Sequence, residues 1–155
     1  MRIINEVKRI VEEVLLQPFL YATDLTINDL IVSIADQLPC VAMVRLENGE
    51  FAHSNGMKDA AECLLFFVDI TDASETDFVK AETVSKQKDF AKEFLKEVEK
   101  SSVIFSVNTE KYNPFYDKYD SLSTAGVYLT LTLKELAGDN ACTVVIPPIE
   151  EEIQN

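Results

Sequence analysis

The sequence predicts an α+β fold: a single domain with an antiparallel or mixed sheet of about five to six strands, on which one long helix and two N-terminal helices pack. Three stretches carry this reading. Residues 125–134 (AGVYLTLTLK) alternate strictly, with Val127, Leu129, Leu131 and Leu133 on one side and Tyr128, Thr130, Thr132 and Lys134 on the other. Such period-two patterning marks a strand with one buried face and one face open to water or a partner, as antiparallel sheets allow. Residues 63–70 (CLLFFVDI) are almost continuously apolar, which suits a central strand covered on both faces. Residues 74–100 contain neither Gly nor Pro, and Val84, Phe90, Ala91, Phe94, Leu95 and Val98 recur at helical spacing.

The remaining elements follow in chain order. Ile3, Val7, Ile10 and Val14, with Ile4, Val11 and Leu15, describe an amphipathic helix that stops near Gln17, ahead of Pro18; Glu6, Arg9 and Glu12 fall elsewhere on its wheel. Thr26 and Asp29 resemble a capping box before a second helix through Ile27, Leu30, Ile31, Ile34 and Leu38, ended by Pro39. A strand at residues 41–46, a type I′ turn on Asn48-Gly49 and a short strand at residues 51–53 make a hairpin. In the long helix, Asp89/Lys92, Glu93/Lys96 and Glu97/Lys100 are placed to pair on the exposed face. Val103, Phe105 and Val107 alternate as a strand, residues 112–120 form an aromatic loop, and residues 142–146 are a further edge-strand candidate. The domain spans residues 1–149, and residues 150–155 form an acidic tail expected to be mobile.

Composition narrows the function classes. At 155 residues the chain can bury about 70% of its unfolded surface. Its 14 basic and 27 acidic residues leave a net charge of −13, which repels phosphate backbones and anionic lipid. Direct sequence-specific nucleic-acid binding and membrane binding are not expected, although DNA could slide past such a surface. The three cysteines are widely spaced among apolar residues, as buried thiols are. No apolar run approaches the roughly 18 residues of a membrane span, and the acid-bearing N-terminus is not a signal peptide. A cytoplasmic protein or virion component is the expectation.

The residues carry little chemistry. His53 is the single histidine and precedes Ser54-Asn55-Gly56, a turn-like setting; no G-x-S-x-G elbow and no glycine-rich phosphate loop is present. The acidic stretch at residues 69–77 reads as a strand-to-helix turn with Ser74 or Thr76 as N-cap, the alternative being a cation site. No enzyme, cofactor or metal is expected. Tyr112, Phe115, Tyr116 and Tyr119 crowd around Pro114, either folding their rings over the sheet edge or presenting them to a partner. Together with Tyr128, Thr130 and Thr132 they are the candidate protein-interaction residues.

From Leu64 to Leu136 the order of elements resembles small prophage-encoded proteins of the tail terminator or tail completion type. The resemblance lies in LLFFVDI, the charged helix KQKDFAKEFLKEVEK, the strand VIFSVN, an aromatic-rich segment, and Asp120 followed by a Ser/Thr stretch and Ala125-Gly126-Val127. It implies a non-enzymatic structural subunit that forms a homo-oligomeric ring at the tail-tube end and meets other tail or head proteins. An acidic protein-binding module, of the inhibitor, immunity or DNA-mimic kind, acting on a basic partner, is the alternative that the charge supports.

Overall fold

The alternation in residues 125–134 belongs to an apolar seam between two long strands. In the computed structural model it lies within β6 (Leu122–Glu135), which runs antiparallel beside β3 (Met57–Thr71), pairing Thr71 with Ser123 at one end and Ala60 with Lys134 at the other. The structure describes residues 2–23, 27–33, 35–53, 57–71, 76–106, 111–119 and 122–136, except for the side chains of 27–28, 45–53, 57–58 and 117–119. The tail at 150–155 and the strand expected at 142–146 lie outside these residues.

Among the described residues six strands form one mixed sheet. β1 (Phe19–Ala22) pairs in parallel with β2 (Cys40–His53), and β2 pairs antiparallel with β3. Beyond β6, β4 (Ile104–Ser106) and β5 (Tyr112–Tyr119) share its far edge, β4 beside Leu133 to Glu135 and β5 beside Leu122 to Leu129. This is the α+β architecture the sequence predicts, with the apolar run at residues 63–70 inside a central strand.

One face of the sheet holds the main core. Val41, Met43, Cys63, Leu65, Phe67, Val127, Leu129, Leu131 and Leu133 point there, against α1 (Arg2–Arg9) and α3 (Asp77–Lys100). Gln87, Ala91, Phe94 and Val98 are the buried stripe of α3, and Val84, Phe90 and Leu95 flank it. Thr76 is the N-cap of α3: extended itself, it accepts the Val79 N–H at 3.4 Å. On the solvent side Lys96 reaches Glu93 at 3.2 Å and Lys100 reaches Glu97 at 3.1 Å, as expected. Among the described residues Lys92 makes no ion pair with Asp89.

Several expectations are corrected. The N-terminal helix widens after Arg9 into a π-helical stretch, Ile10–Val14, in which the Leu15 N–H reaches the Ile10 carbonyl at 3.0 Å. The wider turn rotates the following residues, so Val14 is exposed while Val11 and Leu15 are buried. Leu16, at φ 55°, turns the chain out of the helix in the left-handed region, and the Gln17 N–H closes back on the Val11 carbonyl. The chain then enters β1, a strand the sequence reading missed.

The helices do not share one face. α2 (Ile27–Ser33), shorter than expected and followed by a 3-10 turn at Ala35–Gln37, sets Ile31 against Cys40, Val68 and Phe115 on the opposite side of the sheet. The hairpin expected at Asn48-Gly49 is also absent. β2 runs on through Asn48-Gly49 to His53, which pairs antiparallel with Met57. Asn48-Gly49 sits instead in a bulge, where the stretch from Arg45 to Gly49 faces only Cys63 to Ala61. In β4 it is Ile104 that enters the core while Phe105 faces out, contrary to the expected alternation; Val103, just before the strand, packs half-buried against the core, and Val107 lies outside the described residues.

That inversion follows from a polar clasp. Ser101, closing α3, uses its hydroxyl oxygen to accept the N–H groups of Val103 and Ile104 at 3.1 and 3.2 Å and donates to Glu6 at 2.9 Å. Glu6, expected on the wet side of α1, is buried and accepts hydrogen bonds from Arg9 Nη2 at 2.8 Å and Arg9 Nε at 3.0 Å. Arg9 thereby keeps the Glu6 carboxyl below the ordinary 4.5, with the Ser101 hydroxyl adding to the effect against the opposing cost of burial. The folded carboxylate binds its proton less readily than the unfolded one. Its stabilising contribution is thus full above about pH 4.5 and lost as pH falls through the folded value. Glu6→Gln should flatten the acid limb of the stability curve and cost about 1–3 kcal/mol at neutral pH, measured by urea unfolding from pH 3 to 7. Identical curves for both proteins would show that the clasp contributes nothing.

Candidate interaction surface

β5 is a strand because its backbone completes the free side of β6, and pairing overrides a composition that suggests a loop. Pro114, opposite Val127, has no N–H to donate, a loss an edge strand tolerates. The expected aromatic loop is therefore corrected to an edge strand, and strand alternation divides its rings between two faces.

Phe115, opposite Gly126, turns into the sheet and is only 9% exposed. Its ring meets Phe66 edge-on at 5.9 Å, and Tyr128 lies 5.3 Å from Phe66 and 6.5 Å from Phe115. These rings form a second, smaller core with Ile31, Cys40 and Val68. Phe115 thus folds over the sheet, and Tyr128 is half-buried in the same cluster. Thr130 is exposed and Thr132 half-buried farther along that face.

Tyr112 and Tyr116 point to the other side and stand 47% and 54% exposed. They flank the α3 face, away from Tyr128, Thr130 and Thr132, so the candidates form two separate surfaces. The side chain of Tyr119 lies outside the described residues. Lys88 of α3 places its Nζ 4.4 Å from the centre of the Tyr112 ring, a cation–π contact. The same ammonium holds the Tyr112 phenol below its ordinary value, assisted by Lys92. Between α3 and β5 opens a cleft of about 180 Å³ lined by Lys88, Ala91, Lys92, Leu95, Tyr112 and Leu129. Sequence reasoning missed it, because only the register that sets Tyr112 opposite Leu129 brings β5 beside the helix.

A second cavity, about 300 Å³, lies where α3 meets β4, lined by residues that include Ser101, Phe105, Ser106 and Leu136. Ser106 Oγ is buried there without a hydrogen-bond partner among the described residues. At the opposite end of the sheet, β1 carries Tyr21 outward, 45% exposed. Among the described residues neither β1 nor β5 has a strand on its outer side.

The described residues contain no cluster of His, Cys, Asp or Glu arranged to hold a metal ion. Of the acidic turn, the Asp69 carboxylate accepts the Ile70 N–H at 2.7 Å, and Asp72 and Glu75 lie outside the described residues. Burial and the negative charge of Asp69 push the Cys40 thiol up to about 12. Cys63 is buried as well. In a Cys142→Ser background, a disulfide reagent at pH 8 should label Cys40 and Cys63 only as fast as the protein opens, and quickly in denaturant. Rapid labelling of the native protein would contradict that burial. No described helix is long and apolar enough to cross a membrane.

Comparison with known proteins yields no matching family model and no matching curated protein.

Proposed function

We propose that this chain is a non-enzymatic structural subunit that closes into a ring, of the kind that completes the end of a phage tail tube. The observation that carries this reading is the pair of sheet edges, β1 and β5, at opposite ends of one sheet, both bearing exposed tyrosines. Two different surfaces at opposite ends of a subunit join head to tail, and such contacts generate a closed ring when the rotation between neighbours closes. Tyr112 and Tyr116 are the anchors on one side, since tyrosine brings large contact area at small entropic cost. Other tail or head proteins would meet the faces of the ring. A net charge of −13 would keep the lumen from holding DNA as it passes.

Light scattering across a hundredfold concentration range tests the proposal, with an oligomer of fixed mass as the expected outcome. Tyr112→Ser combined with Tyr116→Ser should weaken association at least tenfold, about 1.4 kcal/mol, while leaving the unfolding midpoint within a few degrees of wild type. Unchanged association in that variant would remove β5 from the interface. The same charge favours a second reading, an acidic module for a basic partner. It predicts a monomer that captures a cationic protein at low salt and releases it at high salt.

A further inference from the structure

The cleft between α3 and β5 is a cationic, partly apolar spot on a strongly negative protein. Lys96 and Lys100 are paired with carboxylates on their own helix, whereas Lys92 makes no ion pair among the described residues and Lys88 lies over the Tyr112 ring. Ala91, Leu95 and Leu129 make its floor apolar. At about 180 Å³ it is smaller than the roughly 300–1,000 Å³ of pockets that hold small-molecule ligands, and it suits one or two protein side chains. Its occupant must be apolar at the tip and anionic beside it. Nucleic acid is anionic, but the net charge of −13 repels it at longer range.

The opposite side of the same molecule presents that combination. The N-terminal helix ends in Glu12, Glu13, Val14 and Leu16, all exposed, Leu16 to 76%. Leu16 also stands at φ 55°, a left-handed backbone that leucine rarely adopts. A large apolar side chain is thus held in water against both the cost of hydrating it and its backbone preference. The two carboxylates lie near the negative end of the helix with no base in the last turn, so a cation from outside is favoured there. Lys8, one turn before Glu12, forms no ion pair with it among the described residues. Arg9, whose charge reaches Glu13, is taken up by Glu6.

We propose that the helix end carrying Glu12, Glu13 and Leu16 docks in the α3/β5 cleft of a second copy of the chain, an inference that rests on the ring-forming reading above. Leu16 covers the apolar floor while Glu12 and Glu13 meet Lys88 and Lys92. The chain's own cleft is out of reach. Glu97, to which the Arg9 charge extends, and Lys88 fall on opposite sides of the α3 wheel, so the N-terminal helix runs along one flank of α3 and the cleft opens on the other. β1, which begins three residues after Leu16, is separated from β5 by β2, β3 and β6, a span of about 19 Å. The contact is therefore heterologous, the β1 side of each subunit meeting the β5 side of the next.

Charge exchange in the full-length chain tests it, read by sedimentation velocity at low salt. Glu12→Lys with Glu13→Lys, or Lys88→Glu with Lys92→Glu, sets like charges against each other at every contact and should weaken association at least tenfold. One chain carrying all four substitutions exchanges the charges and should return to within about threefold of wild type. Leu16→Gly is the variant that spares the fold, because glycine suits the left-handed backbone and the exposed leucine takes nothing from the core. As dilute monomer it should unfold at about the urea concentration of wild type, yet associate at least tenfold more weakly. The inference is overturned if either charge reversal or Leu16→Gly associates like wild type. It is equally overturned if the chain with all four substitutions, folded by circular dichroism, stays as weak as the two reversals. An oligomeric wild type indifferent to every substitution sinks this docking alone, whereas a wild type monomeric at every concentration sinks the ring itself.

Discussion

Gly126→Ala is expected to cost about 4 kcal/mol or more, most of the stability of a domain this size, and to lower the unfolding midpoint by roughly 10 °C or prevent folding. Gly126 stands in β6 with β3 on one side and β5 on the other, opposite Val68 and Phe115. A Cβ there would collide with the Phe67 carbonyl oxygen and lie 2.9 Å from its carbon and 3.2 Å from Phe115 Cε1. The Phe115 ring could yield, but the Phe67 carbonyl belongs to the central strand, so relief requires β3 and β6 to part. The ring beside the glycine also covers backbone that a side chain would otherwise shield, an arrangement in which an aromatic offsets the weakness of a strand glycine. Thermal unfolding followed by circular dichroism measures the effect. A loss below about 1 kcal/mol would mean that the strands adjust freely.

Phe94→Ala should cost about 3–5 kcal/mol, the second large effect. Phe94 is fully buried in the C-terminal half of α3 and packs edge-on against Phe67, their ring centres 6.1 Å apart. Removing it opens a cavity between helix and sheet at the point where α3 meets β3. Phe78, on the same helix, is 71% exposed, and Phe78→Ala should change stability by no more than about 0.5 kcal/mol. The pair compares one chemical change in two environments, and urea unfolding reads both. Equal losses would contradict the packing described for α3.

The parts of the fold that were legible in the sequence are those where one physical requirement dominates. β6 alternates because one face must be apolar, β3 is continuously apolar because both faces are covered in part, and α3 has a single stripe because it lies on one sheet. The misreadings arise where tertiary pairing decides. Asn-Gly occurs at residues 48–49 and again at 55–56, and local turn chemistry favours both equally. The register that brings His53 opposite Met57 carries β2 through the first of them as a bulge. β1 is four residues long and β5 contains a proline, so neither shows a pattern before its neighbour is known. Glu6 lies on the polar part of the wheel when α1 is considered alone, and only Ser101, far along the chain, gives its burial a purpose.

The candidate surface was legible in the same uneven way. The aromatic residues 112–119 lie on one edge strand, whose conformation sends Phe115 into the core and leaves Tyr112 and Tyr116 exposed. Tyr128 turned out half-buried against Phe66 rather than free for a neighbour. The lysines beside Tyr112 carried no usable signal, since Asp89 stands at pairing distance from Lys92 along the sequence and yet forms no ion pair with it among the described residues.

Negative-stain electron microscopy of the purified chain, with native mass spectrometry of the same sample, tests the ring most directly. Closed rings of one uniform subunit number are the predicted result. A population of monomers at every concentration and ionic strength, or open fibres built by the same edges, would contradict it.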